Sequence, residues 1–436
     1  MKIFFVLVSL VLLSMPMNSY ANSWPTFNGN ANRNATIPQA WPANLQLHWQ
    51  HRIPTTVTAS PVVDNEFIVI GSDIGVLYAF DREDKSVRWV FDTHGAIRST
   101  PVMDSEHVYV LSEQGAMSAL DRHTGALLWQ FNTLGQHAFR AYNYLGAPSD
   151  KPVTDPWDLV RSSPLLVGDM VIFGSSDGHV YALNRTTGKR VWAYRTGGEV
   201  HSSPALAGDL IVVGSWDGVV YALNKNTGAL AWSVATETEQ RINVWRGIQA
   251  SPVVFDNHVY IGSRDGYLYA LAADTGTQAW RYNMARSWVV GAVAVDENAV
   301  YVGTSDTGLL IAVGRASGEE IWRVATGGWT YSSPMVFADV VLVSTLLGNI
   351  VAVDKHTGDV VWQQHIGTLA SDDFQLLDTQ GRLRGGIHNG TWQDASYGVM
   401  AKVLSGGGLM ASPAWFAEQL LFVTTAGEIL LWKPAT

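Results

Sequence analysis

The sequence predicts an all-β fold, an eight-bladed β-propeller of four-stranded antiparallel blades whose ring is closed by an N-terminal strand. Three observations support this prediction. Tryptophans recur at a regular interval, Ser-Pro or Thr-Pro steps recur between them, and Gly-containing turns separate short runs rich in Val, Ile and Tyr. A fixed period of about 40 residues is typical of propeller blades, each of which is one small sheet.

The spacing between the proline and the tryptophan of each repeat is constant. The spacing from Pro61 to Trp89 is identical to that from Pro204 to Trp232. The same spacing joins four further pairs: Pro101 and Trp129, Pro164 and Trp192, Pro252 and Trp280, Pro334 and Trp362. In the remaining repeat Val293 replaces the proline. We expect each tryptophan to pack against a neighbouring blade and assign these residues no chemistry.

Each repeat reads as four short strands, for which residues 251–282 are the clearest example. SPVV begins the inner strand, HVYIGS and YLYALA form the next two, and TQAWRY forms the outer one. Asp-Gly steps such as Asp177-Gly178 separate the second and third strands and predict type I′ hairpins. Thr-Gly steps such as Thr275-Gly276 separate the third and fourth strands, where glycine accepts a left-handed conformation.

The last repeat, residues 412–432, lacks an outer strand. Residues 45–51 contain Trp49, which precedes Pro61 by the same spacing as Trp89 precedes Pro101. We therefore expect the N-terminal segment to supply the missing strand, which would remove the exposed edge of an open ring.

Residues 1–21 are predicted to be a signal peptide, and residues 22–436 a single propeller domain. Lys2 precedes an apolar run over residues 3–13, and small residues end at Ala21, after which we expect cleavage. The apolar run is too short to be a transmembrane helix. The expected location is periplasmic or secreted, with no integral membrane segment.

Composition excludes several classes of protein. The chain contains no cysteine, so it has no disulfide, no cysteine for lipid attachment and no thiolate metal site. Its net charge of −10, from dispersed residues, does not favour binding to nucleic acid or to an anionic membrane.

Three long insertions are predicted to lie on one face of the ring. In the regular repeats the tryptophan is followed closely by the next inner-strand proline, but three of these intervals are much longer. The insertions they contain are residues 133–161, 235–249 and 368–411. Each joins an outer strand to the next inner strand, on the face of the Asp-Gly hairpins. Binding usually resides in loops held by a rigid scaffold, so we expect it on this face.

Candidate binding residues come from two sets on that face. The residue three positions before each inner-strand proline should lie at the mouth of the central channel. The candidates are Arg98, Arg161, His201, Gln249 and Tyr331 from these positions, Arg246 and His388 from the insertions, and Trp288 and Trp329 as stacking surfaces. Two interpretations stay open: Asp155 or Asp158 pairs with Arg161, or the site binds a carboxylated or sulfated ligand.

The sequence shows no motif that identifies a catalytic residue or a metal site. His201 could act as a general base because its unperturbed pKa is near neutral, and it could equally be a hydrogen-bonded structural residue. Catalytic residues are therefore left unassigned, and no metal ligands are predicted.

Residues 161–196 (RSSPLLVGDMVIFGSSDGHVYALNRTTGKRVWAYRT) and 201–236 closely resemble the PQQ-enzyme repeat, and residues 24–30 (WPTFNGN) resemble the leader of that superfamily. The resemblance covers residue 24 to the C-terminus. One branch, the quinoprotein alcohol dehydrogenases, implies PQQ and calcium on the channel axis beneath a disulfide of adjacent cysteines, which this chain lacks. The other branch resembles BamB, a non-enzymatic propeller of the outer-membrane assembly machinery that is normally a lipoprotein.

The leading hypothesis is a non-catalytic binding scaffold of the cell envelope, similar to BamB, which binds an envelope protein or an acidic oligosaccharide. It needs no cofactor. The alternative is a PQQ-dependent oxidoreductase that uses PQQ with calcium. A third hypothesis is a carbohydrate-active propeller, such as a lyase of uronic-acid polymers that uses His201, Tyr331 and Arg161.

Overall fold

The predicted propeller is confirmed. A computed structural model of the chain describes residues 23–42, 44–141, 150–236, 247–285, 287–368 and 392–435. Eight four-stranded antiparallel sheets, here called blades 1 to 8, follow one another around the ring. The predicted signal peptide, residues 1–21, lies outside the described residues. No helix in the described ranges is long and apolar enough to cross a bilayer.

The strands are numbered in chain order. The first strand is β1 (Leu45–Arg52). Blade 1 contains β2 (Val62–Val63), β3 (Phe67–Gly71), β4 (Val76–Asp81) and β5 (Val87–Asp92), and blade 2 contains β6 (Val102–Met103), β7 (His107–Leu111), β8 (Ala116–Asp121) and β9 (Leu127–Asn132). A small hairpin follows, formed by β10 (Arg140–Ala141) and β11 (Val153–Thr154).

Blade 3 contains β12 (Leu165–Val167), β13 (Met170–Gly174), β14 (His179–Asn184) and β15 (Arg190–Arg195). Blade 4 contains β16 (Ala205–Ala207), β17 (Leu210–Gly214), β18 (Val219–Asn224) and β19 (Leu230–Ala235). Blade 5 contains β20 (Val253–Phe255), β21 (His258–Gly262), β22 (Tyr267–Ala272) and β23 (Gln278–Asn283).

Blade 6 contains β24 (Ala294–Val295), β25 (Ala299–Gly303), β26 (Leu309–Gly314) and β27 (Glu320–Ala325), and blade 7 contains β28 (Met335–Val336), β29 (Val340–Ser344), β30 (Asn349–Asp354) and β31 (Val360–His365). The helix α1 (Trp392–Ser405) precedes blade 8, which contains β32 (Ala414–Phe416), β33 (Gln419–Val423) and β34 (Glu428–Pro434) together with β1.

The ring closes as the sequence predicts. Strand β1 pairs antiparallel with β34, so that Gln50 lies opposite Leu430. Hydroxyl groups of the Ser-Pro steps add a second connection between neighbouring inner strands. The Ser163 N–H donates to Ser203 Oγ, and the Ser412 N–H donates to Ser60 Oγ across the point of closure. The serine of this step therefore joins blades, in addition to starting a strand.

The recurring tryptophans pack between blades, and the Thr-Gly turns explain how. The Trp232 Nε1–H donates to the Ala273 carbonyl of the next blade at 2.9 Å. Gly276 lies against the same indole, with φ +72°, and a Cβ there would approach the ring to 2.7 Å. Glycine is thus required twice, for its left-handed backbone and for its close approach to the tryptophan.

The prediction of type I′ turns at the Asp-Gly steps is wrong. Gly178 has φ +84°, whereas Asp177 is not among the residues with positive φ. The Gly178 N–H donates to the Ser175 carbonyl, and the Ser175 N–H donates to the His179 carbonyl. The hairpin therefore contains a turn over residues 175–178 with a single left-handed glycine, and type I′ would need two left-handed residues.

We call the rim with these hairpins and the connectors between blades the upper rim, and the rim with the Thr-Gly turns the lower rim. Residues 24–39, the N-terminal segment, cross the lower rim. Trp24 pairs with Val63 of blade 1, and Asn34 exchanges hydrogen bonds with Val295 of blade 6. The Leu206 N–H of blade 4 donates to the Ala31 carbonyl. The segment thus joins inner strands from across the ring.

Candidate functional site

The candidate site is the upper mouth of the channel, where the connectors between blades meet the ring. The three inserted segments leave the outer strands β9, β19 and β31 and enter the inner strands β12, β20 and β32. In a meander of four strands this places the described ends of these segments beside the hairpins between second and third strands. Of the candidate residues, Arg246 and His388 lie outside the described residues.

A ring of side chains that the sequence analysis did not identify lines this mouth. These residues follow the proline of each repeat, or Val293 in blade 6, at one fixed spacing, and each comes directly after a serine or threonine at the end of the second strand. They are Asp73, Glu113, Ser176, Trp216, Arg264, Ser305, Leu346 and Thr425. The residue type at this position differs from blade to blade, although the residues around it are regular. This variation is the signal by which the sequence could have identified the position as a candidate site.

The predicted arginines are paired with acids from this ring. Arg98 donates to Asp73 at 3.1 Å and to Glu113 at 3.2 Å. Arg161, which is 2% exposed, lies 2.8 Å from Glu113 and donates to the Asp158 backbone carbonyl at 2.9 Å. Arg161 and Asp158 also form an ion pair at 3.7 Å, which matches the interpretation that an aspartate of the first insertion pairs with Arg161.

His201 lies at the centre of a second buried group. Its Nδ1 lies 2.9 Å from an oxygen of the Asp158 carboxylate, and its Nε2 lies 2.7 Å from Ser176 Oγ. The Trp216 Nε1–H is also 2.9 Å from Nδ1. The sequence contains these residues in the order Asp, Ser, His with no recognisable motif, so only the folded ring brings them together.

Burial and charge shift the ionisation of this group in opposite directions. Burial alone would raise the pKa of Asp158, but the charges of His201 and Arg161 and the hydrogen bonds to the carboxylate hold it at about 2. Burial lowers the pKa of His201, although Asp158 favours its protonation. At neutral pH Asp158 is therefore ionised inside the protein.

Gln249 and Trp288 contact another buried cation, Arg264. Arg264 donates to the Asp155 carboxylate and to Gln249 Oε1, both at 2.5 Å. Its guanidinium lies 4.6 Å from the centre of the Trp216 ring and 4.7 Å from that of Trp288. Burial would lower the pKa of Arg264, but the surrounding negative charges, of which Asp155 is the largest, raise it, whereas burial raises the pKa of Asp155 itself.

Apolar residues cover the remaining side of the mouth. Trp329 and Tyr331, both predicted as ligand contacts, are 2% and 5% exposed. Trp157 from the first insertion meets Trp329 edge to face, with 5.7 Å between the ring centres. Val399, Met400 and Val403 of α1 belong to the same buried cluster. Trp329 and Tyr331 thus form a core with the chain's own insertions and present no open stacking surface.

The described residues at this mouth do not fit PQQ. PQQ is a planar tricarboxylate, so its site needs cations and an aromatic face that a ligand can reach. Arg98, Arg161 and Arg264 each hold a carboxylate of the chain. The Trp216 ring is stacked on Phe139, with 4.0 Å between ring centres, and is 3% exposed. The quinone would have to displace both kinds of contact.

The low pKa of Asp158 predicts a specific dependence of stability on pH. The ordinary value is 3.8 and the folded value about 2, so ionised Asp158 stabilises the fold above pH 4, and this contribution is lost as the pH falls toward 2. The contribution at pH 7 is about 2 kcal/mol. We expect D158N to be less stable than wild type by about this amount at pH 7, and by about half of it at pH 3. Urea unfolding at both pH values measures the difference, and a difference that stays constant would contradict the prediction.

Comparison with known proteins gives one family and several similar folds. The profile of the family described as "Outer membrane protein assembly factor BamB" matches residues 39–155, 153–266 and 264–375. BamB of Shewanella oneidensis is 34% identical over 74 residues, a match that spans 17% of this chain and 18% of that protein.

Two solved structures share the fold at low sequence identity. BamB of Moraxella catarrhalis aligns with a TM-score of 0.64 and 18% identity, over 90% of this chain and 98% of that one. The quinohemoprotein alcohol dehydrogenase of Comamonas testosteroni aligns with a TM-score of 0.70 and 15% identity, over 95% and 82% of the two chains. Because BamB and an alcohol dehydrogenase both share this fold, the fold alone does not identify the function of this chain.

Proposed function

Since this chain belongs to the family described as outer membrane protein assembly factor BamB, we propose that it is an envelope protein that binds another protein during the assembly of outer-membrane proteins. Its binding surface is the upper rim, and its action is non-catalytic. The expected signal peptide, residues 1–21, would export it to the periplasm. The match to this family, together with the side chains that fill the upper mouth, supports this function over that of a small-molecule enzyme.

The observation that carries the proposal is that side chains of the protein itself fill the upper mouth. The first insertion places Asp155, Trp157 and Asp158 on Arg264, Trp329 and His201, so these charged and aromatic candidates contact residues of the chain itself. A protein partner needs no pocket of this kind, because it can bind the surface that the insertions present.

Exposed apolar side chains on the upper rim supply a contact surface. Leu134, at the start of the first insertion, is 86% exposed, and Ile74, in the hairpin of blade 1, is 61% exposed. Tyr397 of α1 is 40% exposed, and its hydroxyl donates to the Thr154 carbonyl. Exposed apolar residues among polar ones are typical of protein interaction sites.

Paired charge substitutions test this surface. L134D combined with Y397D should weaken association with outer-membrane assembly proteins at least tenfold in a pull-down with purified components, because aspartate disfavours an apolar interface. T186D combined with N226D adds the same charge to exposed turns of the lower rim and should bind like wild type. Equal binding by both double variants would contradict the choice of rim. Dye-linked oxidation after addition of PQQ and calcium would overturn the non-catalytic function.

A further inference from the structure

In blade 4 a tyrosine of the third strand and the aspartate of the hairpin before it fill the space toward the previous blade. The Tyr221 hydroxyl donates to Asp217 Oδ2 at 2.6 Å, and its ring centre lies 5.8 Å from that of Tyr194 in the outer strand of blade 3. The Gly197 N–H, in the connector between these blades, donates to the same carboxylate oxygen at 2.7 Å. The pair therefore fills an interblade space and also supplies an acceptor to the connector.

The neighbouring blades repeat this arrangement. In blade 3 the Tyr181 hydroxyl donates to Asp177 at 2.8 Å, and the Leu134 N–H of the connector donates to the same carboxylate at 3.1 Å. In blade 5 the Tyr269 hydroxyl donates to Asp265 at 2.6 Å. Three consecutive blades thus use a phenol at one fixed repeat position, so the chain itself shows which group fits this space.

Blade 7 lacks both members of the pair. Leu347 stands at the position of the aspartate, and Val351 stands at that of the tyrosine. On the facing outer strand of blade 6, Val324 stands at the position of Tyr194. Each other junction between blades has an aromatic ring or a longer side chain at one of these two facing positions: Phe91, Phe131, Tyr194, Tyr269, Tyr282, Gln364 and Tyr78. The junction of blades 6 and 7 is therefore underfilled.

A cavity of about 440 Å³ lies at this junction. It is lined by residues 325–327 at the end of blade 6, by Asn349 and the 4% exposed Val351 of β30, and by residues 363–365 of β31. Residues 363–365 are exposed, so the cavity opens on the outside of the ring, beside the connector of the upper rim. Its volume lies within the range of about 300–1,000 Å³ that is typical of ligand sites.

The cavity offers both an acceptor and a donor to a hydroxyl group. Asn349 Nδ2 donates to the Gly327 carbonyl at 2.7 Å, and Asn349 Oδ1 lies 2.9 Å from His365 Nδ1. Since an amide oxygen has two lone pairs, Oδ1 keeps one for a further donor. Gly327 corresponds to Gly197 of blade 3, but none of the described residues accepts a hydrogen bond from its N–H. This N–H is therefore left for solvent or a ligand.

The lining favours a neutral ligand group. None of the described residues that line the cavity is an Asp, Glu, Lys or Arg, so a carboxylate or an ammonium would be buried there without a counter-ion. A phenol avoids this cost, because it is uncharged at neutral pH and can both donate and accept a hydrogen bond.

We propose that the cavity between blades 6 and 7 binds a tyrosine side chain of the partner protein. The ring packs on Val351, in the place that the chain's own tyrosine holds in blades 3, 4 and 5. The hydroxyl donates to Asn349 Oδ1 and accepts from the Gly327 N–H. This inference rests on the proposed function, and it names a side chain that the partner contributes.

N-acetyl-tyrosinamide, titrated into the protein and followed by NMR, tests the cavity. Wild type should bind it with a Kd on the order of 1 mM. N-acetyl-phenylalaninamide lacks the hydroxyl and should bind about threefold more weakly or worse. V351Y places the chain's own ring in the cavity and should weaken tyrosinamide binding about tenfold or more, because two rings cannot share a close-packed space. V361Y is the matched control, because Val361 of β31 is 52% exposed and does not line the cavity, and it should bind like wild type.

Capture of purified outer-membrane assembly proteins tests the partner. V351Y should lower this capture about fivefold or more relative to V361Y. If near-ultraviolet circular dichroism shows that V351Y does not fold, L347D/V351Y replaces it, because that variant restores the whole pair of blades 3 to 5.

Three results would overturn the proposal: no binding of N-acetyl-tyrosinamide by wild type, equal binding by V351Y and V361Y, or equal capture of the partner by these two variants. Failure of wild type to capture any assembly protein would instead contradict the proposed function. The titration needs no partner protein, so it would still decide whether the cavity binds a tyrosine side chain.

Discussion

Replacing Arg33 with methionine is expected to lower the free energy of unfolding by at least about 3 kcal/mol, because two or more buried acceptors would lose their donors at about 1–3 kcal/mol each. Arg33 is fully buried in the N-terminal segment on the lower rim. Its guanidinium makes five hydrogen bonds, to the carbonyls of Phe27, Ser163, Pro164 and Pro204 and to the Thr26 hydroxyl. All five donors of the side chain are therefore used.

The acceptors of Arg33 explain why no other side chain can replace it. None of them is a carboxylate, and burial lowers the pKa of Arg33 to about 9, which leaves the group charged at neutral pH. Lysine has three donors in a compact ammonium and cannot reach five acceptors spread over two blades and the N-terminal segment. We therefore expect R33K to recover only part of the loss.

Chemical denaturation followed by tryptophan fluorescence measures the effect. R190M is the matched control, because Arg190 is exposed on an outer strand, and its loss should change stability by less than about 0.5 kcal/mol. Hydrogen exchange of residues 24–39 would show whether R33M first releases the N-terminal segment. A loss below about 1 kcal/mol with unchanged exchange would contradict the role assigned to Arg33.

The sequence repeat made the blades predictable. The closure of the ring was also predictable, because the first strand has the same spacing as the outer strands of the other blades. Trp49 has the spacing of Trp89, and β1 does complete blade 8. Arg33 had no such signal, because the N-terminal segment occurs once and its contacts are with backbone carbonyls of distant blades. A pattern of side chains does not reveal acceptors that belong to the main chain.

The sequence predicted which candidate residues lie near one another, but it did not predict their contacts. Arg98, Arg161 and His201 do lie together at the upper mouth, because each holds an equivalent position before an inner strand. Their acidic partners Asp73 and Glu113 were missed because residues beside a Gly turn look like turn residues. The sequence did not reveal these contacts, because it does not show which side chains face each other across blades.

The buried pair of Asp155 and Arg264 gives the second large expected effect. Both side chains are 0% exposed, and the pair joins the first insertion to blade 5. R264M leaves the Asp155 carboxylate buried without its cation, and D155L leaves Arg264 without its anion. Breaking a buried pair from one side typically costs about 3–5 kcal/mol, so each single variant should lose about that much stability.

The double variant D155L/R264M separates the pair from the size of its side chains. It removes both charges together, so its loss should be smaller than the combined loss of the single variants by about 2 kcal/mol or more. E320L, R323M and E320L/R323M form the control cycle on an exposed pair, where the coupling should be below about 1 kcal/mol. Urea unfolding of all variants measures both cycles. Additive losses at Asp155 and Arg264 would mean that the first insertion is held by Trp157 and its apolar contacts, and not by this ion pair.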